Sequence, residues 1–162
     1  MRGLLLRDIS PADLEQIFED QRDPVARWMA AFGAVDADDR EAFDWKWHEI
    51  LADQGIRTRA IEAQGEFAGY LVCFELSEMR QVGYWISRPF WGQGIATLAL
   101  SLLLEELEVR PLYACAAADN AASIRVLEKC GFATLMHRRA FAKGRDVEVE
   151  EVVMILNEAG QC

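Results

Sequence analysis

The segment Tyr84–Thr97, with the sequence YWISRPFWGQGIAT, constrains the fold of this chain more than any other. A strand-like pattern ends, a short loop with Gly92 and Gly94 follows, and an apolar helix begins at once. The two glycines let a ligand approach the backbone closely. The first N–H groups of the helix have no partner within it and lie at the positive end of its dipole. The segment therefore predicts an anion site that suits a phosphate or a pyrophosphate.

Three other interpretations of this glycine loop compete with that one. The simplest is a tight turn without a ligand, because glycines are common where helices begin. A dinucleotide-binding loop would have a third glycine in place of Thr97 and would lie at the first strand, whereas this loop lies mid-chain. A phosphate loop of the NTPase type would need Gly-Lys-Ser or Gly-Lys-Thr, which the chain lacks. The sequence favours a pyrophosphate-binding loop that belongs to neither the dinucleotide-binding type nor the NTPase type.

Strand and helix patterns alternate along the rest of the chain. We predict strands at Gly3–Ile9, Ile56–Ala63, Phe67–Leu76, Arg80–Ser87, Leu112–Ala116, Thr134–Ala142 and Val147–Leu156. We predict helices from Pro11 to about Asp20, from an acidic cap at 36–39 to about Asp53, at Ile95–Leu107 and at Ala121–Cys130. Trp28, Met29 and Phe32 suggest a further short buried helix. The order predicts a single α/β domain over residues 1–162, with a mixed sheet and a right-handed parallel crossover following Arg80.

Composition and charge restrict the classes of partner. Hydrophobic residues make up 52% and charged residues 27% of the chain, which indicates a globular protein. The net charge of −10 disfavours nucleic-acid binding and would attract a cationic substrate such as an amine, although charge alone favours simple solubility as its explanation. No apolar run has membrane-spanning length and the start does not resemble a signal peptide. We therefore expect a cytoplasmic protein that binds neither nucleic acid nor membrane.

The cysteines and histidines suggest neither a disulfide framework nor a metal site. The four cysteines lie far apart, without a C-x-x-C pair, and the two histidines are isolated. Three of the cysteines have apolar neighbours, so we expect them to act as small buried hydrophobic residues.

Two motifs in the second half of the chain together resemble one known family. Trp91–Ala96 resembles the (Gln/Arg)-x-x-Gly-x-(Gly/Ala) signature of the GNAT acetyltransferases, with tryptophan in the first position. Asn120–Phe132 resembles the N-x-x-S-x-x-x-L-x-K-x-G-F segment of the RimJ/RimL-like branch, the ribosomal-protein N-terminal acetyltransferases, in which tryptophan is usual at that first position. An ordinary capped amphipathic helix would explain the second motif alone. Both motifs occur in the correct order, however, and the resemblance is clear over Arg80–Phe132.

The resemblance implies a GNAT-like α/β fold, in which a mixed, mostly antiparallel sheet of about seven strands has a splayed central pair and about four flanking helices. It implies acetyl-CoA as acetyl donor, with pantetheine paired to the fourth strand and pyrophosphate on the glycine loop, and no metal. The cofactor-binding residues that it implies are Trp85, Ile86, Ser87, Trp91, Gly92, Gln93, Gly94, Ile95, Ala96, Thr97, Asn120, Ser123 and Arg125. Arg88 and Lys129 are further candidates for the outer phosphates, and are equally explained as solvated charges.

The resemblance further implies direct attack of a neutral amine on the thioester, with a backbone N–H of the fourth strand stabilising the oxyanion. The branch often has glutamate two residues before the glycine of its Gly-Tyr strand, but here Gln81 stands at that position and cannot act as a base. Glu78 is the nearest replacement and is our predicted base, with Glu148 and Glu150 as weaker candidates.

The residue that usually protonates the departing thiolate is also replaced in this chain. Many members of the superfamily have a tyrosine seven residues after the asparagine, where this chain has Leu127. Ser123 is therefore the predicted acid, with a hydrogen bond to the backbone of its own helix as the alternative.

The acceptor is the least defined partner. We expect most of the aromatic residues in 22–53 to be core, with one or two lining an acceptor pocket and nearby aspartates attracting a cation. These residues are Trp28, Phe32, Trp45 and Trp47, with Asp36, Asp38 and Asp39. A protein N-terminal amine is the leading acceptor; a small amine, or a silent acetyl-CoA-binding module motivated by Gln81 and Leu127, are the alternatives. The sequence is compatible with a homodimer.

Overall fold

The computed structural model describes residues 3–33 and 36–158, among which seven strands form one sheet. The strands are β1 (Leu4–Arg7), β2 (Arg57–Ala63), β3 (Glu66–Leu76), β4 (Met79–Ile86), β5 (Leu112–Ala117), β6 (Ala133–Ala142) and β7 (Val147–Leu156). The helices are α1 (Pro11–Gln21), α2 (Pro24–Ala30), α3 (Arg40–Ala52), α4 (Ile95–Glu106) and α5 (Ala121–Lys129), with one turn of 3-10 helix at Arg88–Phe90. The sheet order is β1-β2-β3-β4-β5-β7-β6. The predicted fold class is confirmed, with five α-helices in the described part of the chain where about four were expected.

Short polar residues start the first three helices. The Ser10 side chain accepts a hydrogen bond from the Asp13 N–H, and the Asp13 carboxylate accepts one from the Ser10 N–H, which is a reciprocal capping box for α1. Asp23 and Asp39 cap α2 and α3 through their carboxylates. Over 3–33 and 36–158, no helix is long and apolar enough to cross a membrane.

The larger core lies between the sheet and helices α4 and α5. The residues that α4 buries there are Ile95, Ala99, Leu100, Leu103 and Leu104. Burial of each leucine side chain contributes about 2 kcal/mol, so this face holds α4 firmly and fixes where its N-terminus lies. Cys73 and Cys130 are buried in the same core, Cys115 is half-buried, and Cys162 lies outside the described residues.

The aromatic residues of 22–53 divide between core and surface. Trp47 packs edge-on against Tyr70, with ring centroids 5.0 Å apart, in a second core on the opposite face of the sheet. Trp28 and Trp45, however, are 53% and 69% exposed, which corrects the expectation that most of these residues are core. Helix α2 is likewise not the buried helix that was predicted, because Ala26 is its one buried residue within Pro24–Ala30.

Strands β4 and β5 are parallel neighbours that separate almost at once. Among the described residues they share a single bridge pair, Gln81 with Tyr113. Strand β4 pairs with β3, and β5 with β7, along their whole lengths. Each central strand therefore follows its antiparallel partner, and a gap opens between them towards their carboxyl ends. This gap is the splayed central pair that the resemblance implied.

Asp13 joins the start of α1 to the sheet and is buried. Its carboxylate accepts hydrogen bonds from the Arg7 guanidinium at 2.6 and 3.0 Å and from the Ser10 N–H at 2.7 Å. Burial alone would raise the pKa of Asp13, but these hydrogen bonds outweigh burial and hold the pKa below its ordinary value of 3.8.

Replacing Asp13 with asparagine is expected to lower the free energy of unfolding by about 2 kcal/mol at neutral pH, because Arg7 loses a buried charged partner. The folded-state pKa is the lower one, so this contribution is full above the ordinary carboxyl pKa and is lost as pH falls through the folded value. Urea unfolding at neutral pH and below about pH 4 measures both effects. Asp44→Asn, which removes an exposed partner of Arg40, should cost less than about 0.5 kcal/mol. Equal losses in the two variants would contradict this account.

Candidate active site

The gap between β4 and β5 is a cleft of about 720 Å³. The second half of β4 and the middle of β5 form its two sides. The loop before α4, the first turns of α4, most of α5 and one side of α2 complete it. Its volume is in the range of small-molecule sites, and it brings the two motifs of the sequence together.

The glycine loop leaves the N-terminus of α4 open at the mouth of the cleft. Gly92 and Gly94 both have φ of +76°, a region that other residues rarely adopt. Gly94 is the N-cap of α4, and having no side chain it gives the first N–H groups of the helix no side-chain cap. A Cβ atom at either glycine would meet nothing within 4 Å. The predicted loop residues that line the cleft are Trp91, Gly92, Gly94, Ile95, Ala96 and Thr97.

Two side chains hold this loop in place. The Trp91 indole N–H donates to the Ile86 carbonyl at 2.7 Å, which ties the loop to the end of β4. The Gln93 amide donates to the Pro89 carbonyl at 3.3 Å, and Gln93 does not line the cleft. Tryptophan in the first position of the signature thus has a structural role, and the Gln93 side chain serves the loop, while a contact of the Gln93 backbone N–H with the cofactor stays a prediction.

The backbone of β4 presents alternate residues to the gap. The Ser87 N–H donates to the Ala68 carbonyl at 2.8 Å, so this group faces β3. Successive residues of a strand face opposite neighbours. The N–H groups of Ile86 and Tyr84 therefore face the gap, where β5 has moved away and a ligand amide or carbonyl has room to pair.

Ser87 and Trp85 do not present backbone groups to the gap. The Ser87 hydroxyl donates to the Asp20 carboxylate at 2.5 Å, and Ser87 is buried outside the cleft. This corrects the prediction that Ser87 binds the cofactor. The backbone N–H of Trp85 faces β3 by the same alternation, although Trp85 is among the residues that line the cleft. Its indole Nε1 is buried and has no hydrogen-bond partner among the described residues.

Asn120 and Ser123 lie on the α5 side of the cleft. The Asn120 side chain accepts from the Ser123 N–H at 3.2 Å and donates to the Met29 carbonyl at 3.1 Å, so it caps α5 and links it to α2. The Tyr84 phenol, which the sequence analysis passed over, donates to the Ser123 hydroxyl at 3.0 Å. Burial raises the pKa of Tyr84 above its ordinary value.

The candidate phosphate ligands differ in their surroundings. Arg125 and Lys129 are exposed on α5 and line the cleft. Arg88 lies outside the cleft lining and pairs with Asp23 at 3.1 Å. Arg125 and Lys129 are therefore the cations placed to reach an anion at the open end of α4.

The predicted general base lies far from the cleft. Glu78 stands in the turn between β3 and β4 with φ of +64°, at the opposite end of β4 from the gap. Tyr84 lies six residues further along this extended segment, a distance of about 20 Å. Glu148 and Glu150 are exposed on β7 and do not line the cleft. The structure therefore corrects the assignment of Glu78 and supports neither weaker candidate.

Cys115 lines the cleft beside the residue that replaces the expected base. Its Sγ lies 3.8 Å from Gln81 Oε1 and 3.9 Å from the Arg138 guanidinium, which itself donates to the buried Glu151 carboxylate at 2.5 Å. Burial and the Glu151 charge raise the pKa of the Cys115 thiol to about 11, against the opposing effect of Arg138. The thiol is therefore protonated at neutral pH and is a poor nucleophile.

A mixed sheet that is split at a parallel pair, with an open helix N-terminus beside the split, forms a cleft that suits a ligand with a phosphate group. The family model described as the acetyltransferase (GNAT) domain matches residues 3–133. The chain therefore belongs to the GNAT family of N-acetyltransferases, and the resemblance drawn from its two motifs is confirmed.

Individual relatives agree with this assignment. YdaF of Bacillus subtilis, provisionally named a ribosomal N-acetyltransferase, is 29% identical over 141 residues, which cover 80% of this chain and 77% of YdaF. The ribosomal-protein-alanine N-acetyltransferase of Brucella melitensis is 24% identical, with a TM-score of 0.76 over 95% of this chain and 99% of that one. The spermidine N-acetyltransferase of Vibrio cholerae, solved with CoA and spermine, is 20% identical, with a TM-score of 0.74 over 96% of each chain.

Proposed function

We propose that this N-acetyltransferase takes acetyl-CoA as donor and the N-terminal amine of a protein as acceptor. The main evidence for acetyl-CoA as the donor is the open N-terminus of α4 beside the β4–β5 cleft. The Vibrio cholerae structure was solved with CoA, which supports the same donor. The names of YdaF and of the Brucella melitensis enzyme support a ribosomal protein as acceptor.

The shape and polarity of the cleft fit an acyl-CoA. The N–H groups at the start of α4 suit the pyrophosphate, because they supply hydrogen-bond donors at the positive end of the helix dipole. The space beside Gly92 and Gly94 is open, so a phosphate group can approach these N–H groups. Arg125 and Lys129 would add charge at the rim. On β4, the N–H groups that face the gap, at Tyr84 and Ile86, would pair with the pantetheine arm and stabilise negative charge on the thioester oxygen.

The protonation state of Cys115 supports direct attack by the amine. A covalent acetyl-cysteine intermediate would need a thiolate in the cleft. Cys115 lines the cleft, but its pKa of about 11 keeps it protonated at neutral pH. The amine nitrogen therefore attacks the thioester carbonyl itself, the C–N bond forms, and the C–S bond breaks with its electron pair on sulfur.

The absence of a base in the cleft favours an N-terminal amine as acceptor. None of the described residues that line the cleft is an aspartate, glutamate or histidine. The acceptor must then lose its proton to water, so its own pKa decides how much of it is reactive. At about pH 7.7, about a third of an α-amine with a pKa of about 8 is neutral, whereas about two parts in a thousand of an alkylamine with a pKa of about 10.4 are neutral.

A polyamine is the second candidate for the acceptor, because the net charge of −10 would attract it. Its amines have a higher pKa than an α-amine, so a smaller fraction of them is neutral and able to attack.

The test combines donor titration with an acceptor panel. We expect acetyl-CoA and CoA, but not NAD, to bind in calorimetry. With peptides that have a free N-terminus as acceptors, we expect the enzyme to release CoA from acetyl-CoA at a rate that rises with pH and levels off above about pH 8. The same peptides with a blocked N-terminus and a free lysine are the matched control. Faster turnover of spermidine than of the peptides at every pH would show that the acceptor is a small amine. Binding of acetyl-CoA without release of CoA would indicate a silent acetyl-CoA-binding module. No binding of acetyl-CoA or CoA would overturn the proposal.

A further inference from the structure

Tyr84 and Ser123 contact each other in the cleft between β4 and β5. Tyr84 belongs to β4 and Ser123 to α5, 39 residues apart in sequence, and both line the cleft. Their hydroxyl groups lie 3.0 Å apart, with the phenol as donor and the serine oxygen as acceptor. This contact joins the strand whose edge faces the gap to the helix on the other side of it.

The contact with Tyr84 affects where the serine proton can point. A hydroxyl group donates one hydrogen and accepts others. Within 3–33 and 36–158, the contact with Tyr84 is the one hydrogen bond of the Ser123 hydroxyl. When the phenol is the donor in this contact, the Ser123 oxygen accepts, and the hydrogen of Ser123 lies on the remaining side of its oxygen, where it is available to the cleft.

We propose that Tyr84 is a positioning residue that orients the Ser123 hydroxyl towards the sulfur atom of the departing CoA. The inference rests on the proposed function, because it assigns the sulfur to this part of the cleft. Ser123 would donate a hydrogen bond to the sulfur as the C–S bond breaks and negative charge develops there. Neither hydroxyl needs to lose its proton. The amine proton passes to water, and CoA leaves as a thiolate that water can protonate.

The environment of Tyr84 suits this role. Burial raises the pKa of the phenol, so it stays protonated and remains a donor throughout the working pH range. Removal of Tyr84 as a donor would free the serine hydroxyl to rotate and to bond backbone within α5, the common behaviour of serine in helices. The loss should therefore appear in kcat and not in the affinity for acetyl-CoA.

The experiment compares Tyr84→Phe, Ser123→Ala, the double variant and Tyr113→Phe, the last being the same substitution at a tyrosine outside the cleft. We expect kcat to fall about 10-fold in Tyr84→Phe and about 30-fold in Ser123→Ala, with acetyl-CoA affinity within about twofold of the parent. The double variant should be no slower than Ser123→Ala, because Tyr84 acts through the serine. Multiplied losses in the double variant, or a Tyr84→Phe rate equal to that of Tyr113→Phe, would overturn the proposal.

A second readout does not depend on turnover. The thiol of bound CoA can be titrated by the ultraviolet absorbance of its thiolate, and a hydrogen bond to sulfur lowers its pKa. We expect this pKa to be higher by about one unit in both Tyr84→Phe and Ser123→Ala than in the parent. If the parent binds CoA but transfers no acetyl group, the proposed function fails while the titration still decides the role of Tyr84. An unchanged thiol pKa in Tyr84→Phe would overturn that role.

Discussion

Gly94→Val is expected to weaken acetyl-CoA binding at least about 100-fold while the protein stays folded. Gly94 caps α4 at the mouth of the cleft and has φ of +76°. Its side of the loop is open, since a Cβ atom there would meet nothing within 4 Å. An isopropyl group would occupy the space next to the first N–H groups of the helix, which are the groups that we assign to the pyrophosphate.

The cost of this substitution to the fold should be modest. A residue other than glycine in the left-handed region costs about 1–2 kcal/mol, and the Cβ atom of the valine meets nothing within 4 Å. Calorimetric titration with acetyl-CoA and a thermal unfolding curve on the same sample separate the two effects. Loss of binding with a small shift in the unfolding midpoint is the expected result.

Gly65→Val is the matched control for backbone strain. Gly65 lies in the turn between β2 and β3, has φ of +81°, and would also place its Cβ atom in open space. Because this turn does not line the cleft, the variant should bear a similar strain and bind acetyl-CoA like the parent. If Gly94→Val binds acetyl-CoA as well as Gly65→Val does, the loop is not the pyrophosphate site.

Local signals account for most of what the sequence predicted correctly. The cap at Ser10, the hairpin turn at Gly65 and the strand Val147–Leu156 are present as expected. Each depends on residues within a few positions of one another: a side chain that caps the next turn, a glycine that accepts positive φ, or an alternation of period two. Such interactions are visible in sequence because the chain brings their partners together without help from the fold.

The errors concern contacts between distant segments. Glu78 is three residues from Gln81 in sequence, but those residues run along β4 and away from the gap. The position of Ser87 is set by the Asp20 carboxylate and the Ala68 carbonyl, neither of which its own segment reveals.

The hydroxyl pair of Tyr84 and Ser123 was missed for the same reason. Alternation along β4 places Tyr84 on one face of the strand, but which face meets α5 depends on how the helix packs. Trp45 is an error of the opposite kind. Its aromatic side chain predicted burial, but the packing of α3 leaves it 69% exposed.

Gly69→Ala is expected to lower the free energy of unfolding by at least about 3 kcal/mol, a large part of the stability of an average domain. Gly69 lies on β3 opposite Ile86, and a Cβ atom added to it would lie 2.0 Å from the Trp85 carbonyl oxygen. That oxygen belongs to backbone in the middle of the sheet, so relief of the clash has to separate β3 from β4. Urea unfolding of the purified variant measures the loss.

Gly83→Ala is the control, because it makes the same change in the neighbouring strand without the clash. Its Cβ atom would lie 3.5 Å from Val72 Cγ1, an ordinary contact, and we expect its unfolding free energy to be within about 1 kcal/mol of the parent. Equal stability of the two variants would show that β3 and β4 can part at residue 69 without cost.

The position of Gly69 extends this prediction from stability to the site. Separation of the strands would move the end of β4, and with it the Ile86 N–H that faces the gap and the Ile86 carbonyl that holds Trp91. A Gly69→Ala protein that remains folded at low temperature should therefore also bind acetyl-CoA more weakly, although Gly69 itself does not line the cleft. Normal binding by a strongly destabilised variant would mean that the edge of β4 does not set the donor site, and would leave that role to the α4 loop alone.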